Sequence, residues 1–176
     1  MVEKKGTDLE YLSILLKDGE VKIELFSKVA PLHVERVKKL SRKGAYNNVV
    51  FHRVIDGFMA QTGDIQYGNA VENWNPQRVG TGGSREPNLP AEFSKLSFDR
   101  GTLGMARSQD PNSANSQFFI MLEDGHFLNG QYTILGQVIT GMDFVDKIKR
   151  GDQSNNGSVE EPDRMIKVTV AGKQSA

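Results

Sequence analysis

The sequence predicts a mainly β fold, a closed or nearly closed eight-stranded antiparallel barrel with two α-helices. Three observations predict it. The 18 glycines fall between short runs rich in β-branched and aromatic residues. Only two segments carry apolar residues at helical spacing. Strand and helix do not alternate in the βαβ rhythm that a parallel sheet requires. Closure of the sheet would also remove the exposed edges that short strands otherwise leave.

The elements follow in order. Glu10 to Leu16 and Glu20 to Phe26 read as strands flanking the turn Lys17-Asp18-Gly19. Asp-Gly between apolar runs signals a hairpin, because glycine tolerates positive φ. Val21, Ile23 and Leu25 alternate with Glu20, Lys22 and Glu24, so one face is buried and the other wet. The first helix starts at Pro31, where the missing N–H costs nothing. Val34, Val37 and Leu40 form its apolar stripe, and Gly44 stops it. Glu35, Arg36, Lys38, Lys39, Arg42 and Lys43 read as its solvated face.

Val49 to Ile55 and Phe58 to Thr62 are the next strands. Gly63 to Pro90 is a long loop holding the only tryptophan, Trp74. Thr102 to Arg107 and Gln117 to Leu122 are strands joined by a polar loop, and Tyr132 to Ile139 is another. Met142 to Arg150 reads as the second helix, with Met142, Val145 and Ile148 on one face and Gly151 as its stop. Met165 to Ala171 closes the chain as the eighth strand.

At 176 residues the chain makes one domain, residues 1–176, with residues 1–8 read as a flexible N-terminal segment. A domain of this size buries roughly 70% of its unfolded surface and needs no covalent staples. Lys plus Arg equal Asp plus Glu at 22 each, so the formal charge is +0. That argues against broad binding to nucleic acid or an acidic membrane. Cysteine is 0, which removes disulfides, thiolate metal sites and a cysteine nucleophile. No signal peptide is apparent, and no apolar run reaches the roughly 20 residues of a membrane span. A cytoplasmic monomer is expected.

Most familiar chemical motifs fail. Gly80-Thr81-Gly82-Gly83-Ser84 lacks the Gly-Lys-Ser/Thr ending of a phosphate loop, and a flexible turn is the better reading. His33, His52 and His126 have no short ligand spacing, so no metal site is assigned. His52 reads as a hydrogen-bonded core histidine. No Gly-x-Ser-x-Gly nucleophile elbow is present. Asp152 to Asp163 has calcium-loop-like offsets, but it ends in Asp beside Pro162 and enters a strand, so a plain loop is preferred.

What remains is distinctive. Phe51-His52-Arg53-Val54-Ile55-Asp56-Gly57-Phe58-Met59-Ala60-Gln61 sets one arginine and one glutamine among large apolar groups. Ser116-Gln117-Phe118-Phe119-Ile120 does something similar. Strand alternation puts Arg53 on the face of Phe51 and Gln117 on the face of Phe119. A guanidinium there must reach water, a partner or a ligand, because burying it unpaired is costly. A structural Arg–carboxylate pair is the other reading.

These runs resemble the cyclophilin family of peptidyl-prolyl cis-trans isomerases, and the likeness spans nearly the whole chain. The segment with Gly80 to Gly83 and Leu89-Pro90-Ala91-Glu92-Phe93 is similar to bacterial cytosolic members. The resemblance implies a closed eight-stranded antiparallel barrel capped by two α-helices, no cofactor, and proline-containing peptides and folding proteins as partners. It implies that Arg53 is the catalytic cation, with Gln61 orienting it. Phe58, Met59, Phe119 and Leu128 would grip the proline ring. Ala106, Arg107 and Ser108 would form a backbone ledge for the peptide, with Gln117 beside it and Phe127 and Tyr132 completing the site. Three positions depart from the eukaryotic pattern: Phe127 replaces Trp, Tyr132 replaces His and Arg107 replaces Asn. Loss of the indole N–H implies weak cyclosporin binding. A module that holds proline-containing segments with incidental turnover is the alternative function.

Overall fold

In the computed structural model, which describes residues 9–171, β1 (Glu10–Leu16) and β2 (Gly19–Leu25) form the expected hairpin. The expectation for residues 1–8 lies outside the described residues. The turn is tighter than the sequence suggests: Leu16 pairs with Gly19, so Gly19 already belongs to β2. Glycine is required there by close approach. A Cβ would lie 2.5 Å from the ring of Phe144.

Helix α1 (Pro31–Arg42) begins at proline and buries His33, Val34, Val37 and Leu40. One of its charges departs from the solvated face assigned to it. Arg36 is buried, donating from Nη1 to the Asn115 carbonyl at 3.0 Å and from Nη2 to the Pro87 carbonyl at 2.7 Å.

The remaining strands are β3 (Val49–Val50), β4 (Arg53–Ile55), β5 (Met59–Thr62), β6 (Thr102–Met105) and β7 (Phe118–Met121). They are followed by β8 (Ile134–Thr140), β9 (Arg164–Met165) and β10 (Lys167–Ala171). Eight of the ten strands form one antiparallel sheet in the order β10-β1-β2-β8-β6-β7-β5-β4. It curls strongly into a half-barrel, and the expectation of a closed barrel is therefore corrected.

The reason lies in two runs that each read as one strand. Val49 to Ile55 breaks at Phe51-His52, and Met165 to Ala171 breaks at Ile166. Their first halves, β3 and β9, pair with each other as a separate ribbon. The free edge of β4 is then taken by the loop over 151–159 rather than by β10. Val54 N–H donates to the Gly157 carbonyl, Gly151 N–H to Val54, and Val159 N–H to His52. The break also overturns the simple alternation, because Phe51 joins the main core whereas His52 and Arg53 both line a cavity.

The second helix is shorter than expected. α2 (Met142–Val145) has four residues. Lys147 and Ile148 then bond back three residues to the Phe144 and Val145 carbonyls. Arg150 Nη1 takes the carbonyls of Asp146 and Ile148, and the chain turns toward β4. Val145 and Ile148 still enter the core, as their spacing requires.

Apolar residues occupy both faces of the sheet's centre. On β7, Phe118 and Ile120 join the main core with Leu12, Ile14 and Val37. Phe119 and Met121 point to a second cluster with Met59, Phe98, Leu128 and Ile134. The period of two in a strand thus divides one continuous apolar run between two interiors. The second cluster opens to a cavity. Among the described residues, no helix is long and apolar enough to cross a membrane.

Candidate active site

The sheet register assembles the site. Arg53 on β4 stands directly opposite Gln61 on β5, and Gln61 stands opposite Phe119 on β7. Phe119 in turn faces Gly104 on β6. Gly104 is a packing requirement, since a Cβ there would lie 2.6 Å from Phe119 and 2.7 Å from Phe98. Its absence lets the Phe119 ring lie down, stacked on Phe98 at 5.8 Å and edge-on to Tyr132 at 5.8 Å.

This row floors a cavity of about 650 Å³. Arg53, Phe58, Met59, Gln61 and Phe119 line it from the strands and the β4–β5 turn. Phe127 and Leu128 reach it from a 3-10 turn at His126–Leu128, and Ala106, Arg107 and Tyr132 line it from their loops. Phe127 is 71% exposed and leans on Phe58 at 5.5 Å, forming an aromatic lip. Ser108 and Gln117 line not this cavity but an adjoining one of about 420 Å³. The two cavities share Gln61, Gly80, Thr81, Ala106 and Arg107.

Arg53 is held by neutral acceptors. Nη1 donates to Gln61 Oε1 at 3.0 Å, Nε to the Asn156 carbonyl at 3.1 Å and Nη2 to Asn156 Oδ1 at 3.3 Å. These bonds use three of the five guanidinium N–H groups and leave one on each Nη. The carboxylate pair that was the other reading of this arginine is absent among the described residues. Burial lowers the Arg53 pKa from its ordinary value, with Tyr132 acting in the opposite sense.

The amides behind Arg53 form a directed relay. Gln61 Nε2 donates to Gln117 Oε1 at 2.9 Å, and Gln117 Nε2 donates to the carbonyls of Gly80 and Gly82, both at 3.0 Å. Because the last acceptors are main-chain carbonyls, Gln117 must present its oxygen to Gln61, and Gln61 its oxygen to Arg53. The Gly80–Gly82 turn, set aside above as a phosphate-loop look-alike, is itself anchored by a carboxylate. Asp64 Oδ2 accepts the N–H groups of Gly80 at 2.7 Å and Gly82 at 2.9 Å.

Sequence reasoning missed the contribution of the loop over 152–158. Asn155, Asn156 and Ser158 line the cavity. The acids of the calcium-loop pattern serve the protein: Asp152 Oδ1 accepts from Ser154, and Asp163 Oδ2 accepts from Lys17 Nζ and Lys149 N–H. The Asn156-Gly157 turn was the available signal, but its docking on β4 was not visible in it. His52 corrects another expectation. It is buried, yet neither ring nitrogen has a protein partner, and it lines the cavity. Burial pushes its pKa down to about 4, with Asp64 opposing and Arg53 adding to the shift.

A metal-like grouping lies outside the cavity. Side-chain atoms of Asp99, Asp124 and His126 come within 4.8 Å of one another, all on exposed residues. His126 Nε2 already engages Asp99 there at 2.9 Å.

Comparison with known proteins matches residues 11–170 to the family described as cyclophilin type peptidyl-prolyl cis-trans isomerase. A probable peptidyl-prolyl cis-trans isomerase of Brucella suis biovar 1 is 64% identical over 155 residues, covering 88% of this chain and 79% of that protein. Peptidyl-prolyl cis-trans isomerase B of Escherichia coli K12 is 40% identical over 139 residues, covering 74% and 79%. A cyclophilin-type isomerase from Cryptosporidium parvum, crystallised in the presence of the dipeptide Ala-Pro, aligns with a TM-score of 0.77 at 28% identity, covering 92% of this chain and 98% of that one.

Proposed function

The chain belongs to the cyclophilin-type peptidyl-prolyl cis-trans isomerases, and from that membership we propose that Arg53 drives the rotation by donating a hydrogen bond to the prolyl nitrogen. Rotation about X–Pro breaks no σ bond, so the chain needs neither a nucleophile nor a leaving group. The obstacle is amide resonance, a barrier of roughly 18–20 kcal/mol. In the planar ground state the nitrogen lone pair is delocalised and accepts poorly. At the twisted transition state the lone pair is localised, the nitrogen is pyramidal, and it accepts. A donor aimed there binds the transition state more tightly than the substrate, which is what raises turnover.

The observation that carries this reading is the posture of Arg53: neutral acceptors behind it, unspent N–H groups, and an apolar cavity floor in front. Phe58, Met59, Phe119 and Leu128 seat the proline ring and keep water from the amide, which removes solvation that favours the planar, charge-separated form. Gln61 fixes the plane of the guanidinium. Ala106, Arg107 and Ser108 carry the peptide backbone past the cavity, with Gln117 beside them, and Tyr132 and Phe127 close its sides. Cyclosporin binds weakly because the Phe127 ring has no N–H to donate.

A millionfold acceleration corresponds to about 8 kcal/mol. A single preorganised donor supplies about 3–4 of these, by analogy with an oxyanion donor. Exchange of a cis/trans Pro peptide, followed by NMR, tests the reading. Arg53→Ala is expected to keep the fold and lose at least about a hundredfold in exchange catalysis. Near-normal exchange would remove Arg53 from the mechanism. Unchanged peptide binding without catalysis by the wild-type protein would favour the holding module instead.

A further inference from the structure

We propose that Arg107 makes this enzyme selective for peptides carrying an acidic side chain, Asp or Glu, within two residues of the proline on the side that leads from the first cavity to the second. The inference rests on the cavity being the proline site.

Arg107 is half-buried, and its guanidinium lies over the Tyr132 ring, 4.5 Å from its centroid. Its hydrogen bonds all run to main-chain carbonyls. Nε and Nη2 donate to Gln131 at 3.2 and 2.6 Å, and Nη1 to Ser108 at 2.9 Å and Gln109 at 3.3 Å. Such bonds take four of its five N–H groups and fix its position, but they leave its charge uncompensated. Some other cations are paired instead: Arg100 with Asp146, Arg150 with Asp56 and Lys38 with Glu10. Among the described residues no carboxylate forms such a pair with Arg107. Asp110, on the same loop, accepts from the Asn112 N–H and lines neither cavity.

Arg107 also occupies a particular place. It lines both cavities, so a peptide whose proline sits in the first passes it on the way to the second. Arg53 adds a second positive charge to the first cavity, and no Asp or Glu lines either one. In a chain of formal charge +0, this groove is therefore locally cationic. A cleft lined by one sign of charge focuses its field and raises the local concentration of oppositely charged ligand. An acidic side chain beside the proline meets that field, whereas a lysine is repelled by it.

The test uses Pro peptides with Glu, Gln or Lys placed one or two residues before or after the proline. NMR exchange gives kcat/KM and chemical-shift titration gives affinity. At one flank, Glu is expected to exceed Lys by about twofold to fivefold, the scale of a partly exposed ion pair. The ratio should shrink in high salt, as screening requires. Arg107→Gln should remove most of the preference, leaving only what the Arg53 charge contributes, and Arg107→Lys should restore most of the loss. The ratio, not the absolute rate, is the readout, so a structural effect of losing the carbonyl bonds does not imitate the result. A missing preference, an equal preference at both flanks, or one that Arg107→Gln leaves undiminished overturns the proposal. The affinity ratio reads it even if Arg53→Ala retains exchange, so the two proposals fail separately.

Discussion

Beneath α1 and at the cavity, the molecule withdraws the same two residue types from water, one arginine and one histidine, and treats them oppositely. Under α1, Arg36 is buried between the carbonyls of Asn115 and Pro87, and His33 Nδ1 meets Glu92 Oε1 at 2.6 Å, with only its Nε2 left unpartnered. These bonds join the helix to loops about 50 to 80 residues away. At the cavity, Arg53 has acceptors on one side only, and His52 has none for either nitrogen. Enclosure turns a polar group into a fastener. Support from behind, with the front left open, turns it into an instrument. Residue type and burial do not separate the two uses; the direction of the unspent valence does.

The sharpest way to break this comparison is to exchange the phenotypes. Arg53→Ala should cost at least about a hundredfold in exchange catalysis with little change in thermal stability. Arg36→Met should do the reverse, losing two part-buried, charge-assisted hydrogen bonds at about 2 kcal/mol, a Tm loss of roughly 4–8 °C, while the folded fraction keeps its kcat/KM. If Arg36→Met abolished catalysis in folded protein, or Arg53→Ala unfolded the chain, the division between fastener and instrument would be wrong.

The histidines sharpen the comparison through pH. Burial depresses both pKa values, but the hydrogen bond and charge of Glu92 work against that shift at His33, whereas His52 falls to about 4. A depressed histidine is neutral in both states above its unfolded pKa of about 6.5. Below that value the unfolded chain takes a proton that the folded chain refuses, so stability falls as the pH drops. For His52 the loss begins below about pH 6.5 and is complete near pH 4, amounting to about 3 kcal/mol. Urea denaturation at pH 7, 5 and 4 should show a shallower acid decline in His52→Gln than in the wild type. Parallel declines would mean that His52 is protonated in the folded state.

How much of this was legible follows from where each constraint sits in the chain. Arg53, Gln61 and Phe119 could be read because they lie in adjacent strands, where a register of paired residues carries a local pattern into a row. Gln117 was readable for the same reason, two positions before Phe119 on a strand with period two. Asn156 was not, because it reaches Arg53 across 103 residues through a loop docked on the β4 edge. The same docking explains the open sheet: a run of seven strand-like residues, Val49 to Ile55, carries no local mark of where its partner changes. The second helix was overread because Met142, Val145 and Ile148 do share a buried face, and a helical turn followed by tighter turns preserves that spacing. His52 was correctly placed inside, but burial says nothing about whether a partner waits there.

The smallest expected effect tests the support of the instrument rather than the instrument itself. Gln117 touches neither Arg53 nor the first cavity; it fixes Gln61 and is fixed by the carbonyls of Gly80 and Gly82. In Gln117→Leu, the Gln61 amide loses the acceptor that dictates its orientation and can present its NH₂ group to the guanidinium, where two donors repel. Arg53 then keeps its two Asn156 bonds and loses the third. The expected result is a fall of about threefold to tenfold in kcat, the cost of one misdirected hydrogen bond. KM for a short peptide with a small residue before the proline should change little. Gln117→Glu separates geometry from volume: its carboxylate still accepts from Gln61 Nε2 but faces the Gly80 and Gly82 carbonyls with no donor, so the turn loosens while the Gln61 orientation survives. Catalysis retained in Gln117→Glu and reduced in Gln117→Leu would locate the effect in the direction of the relay. An equal loss in both would assign it to the packing of the Gly80–Gly82 turn.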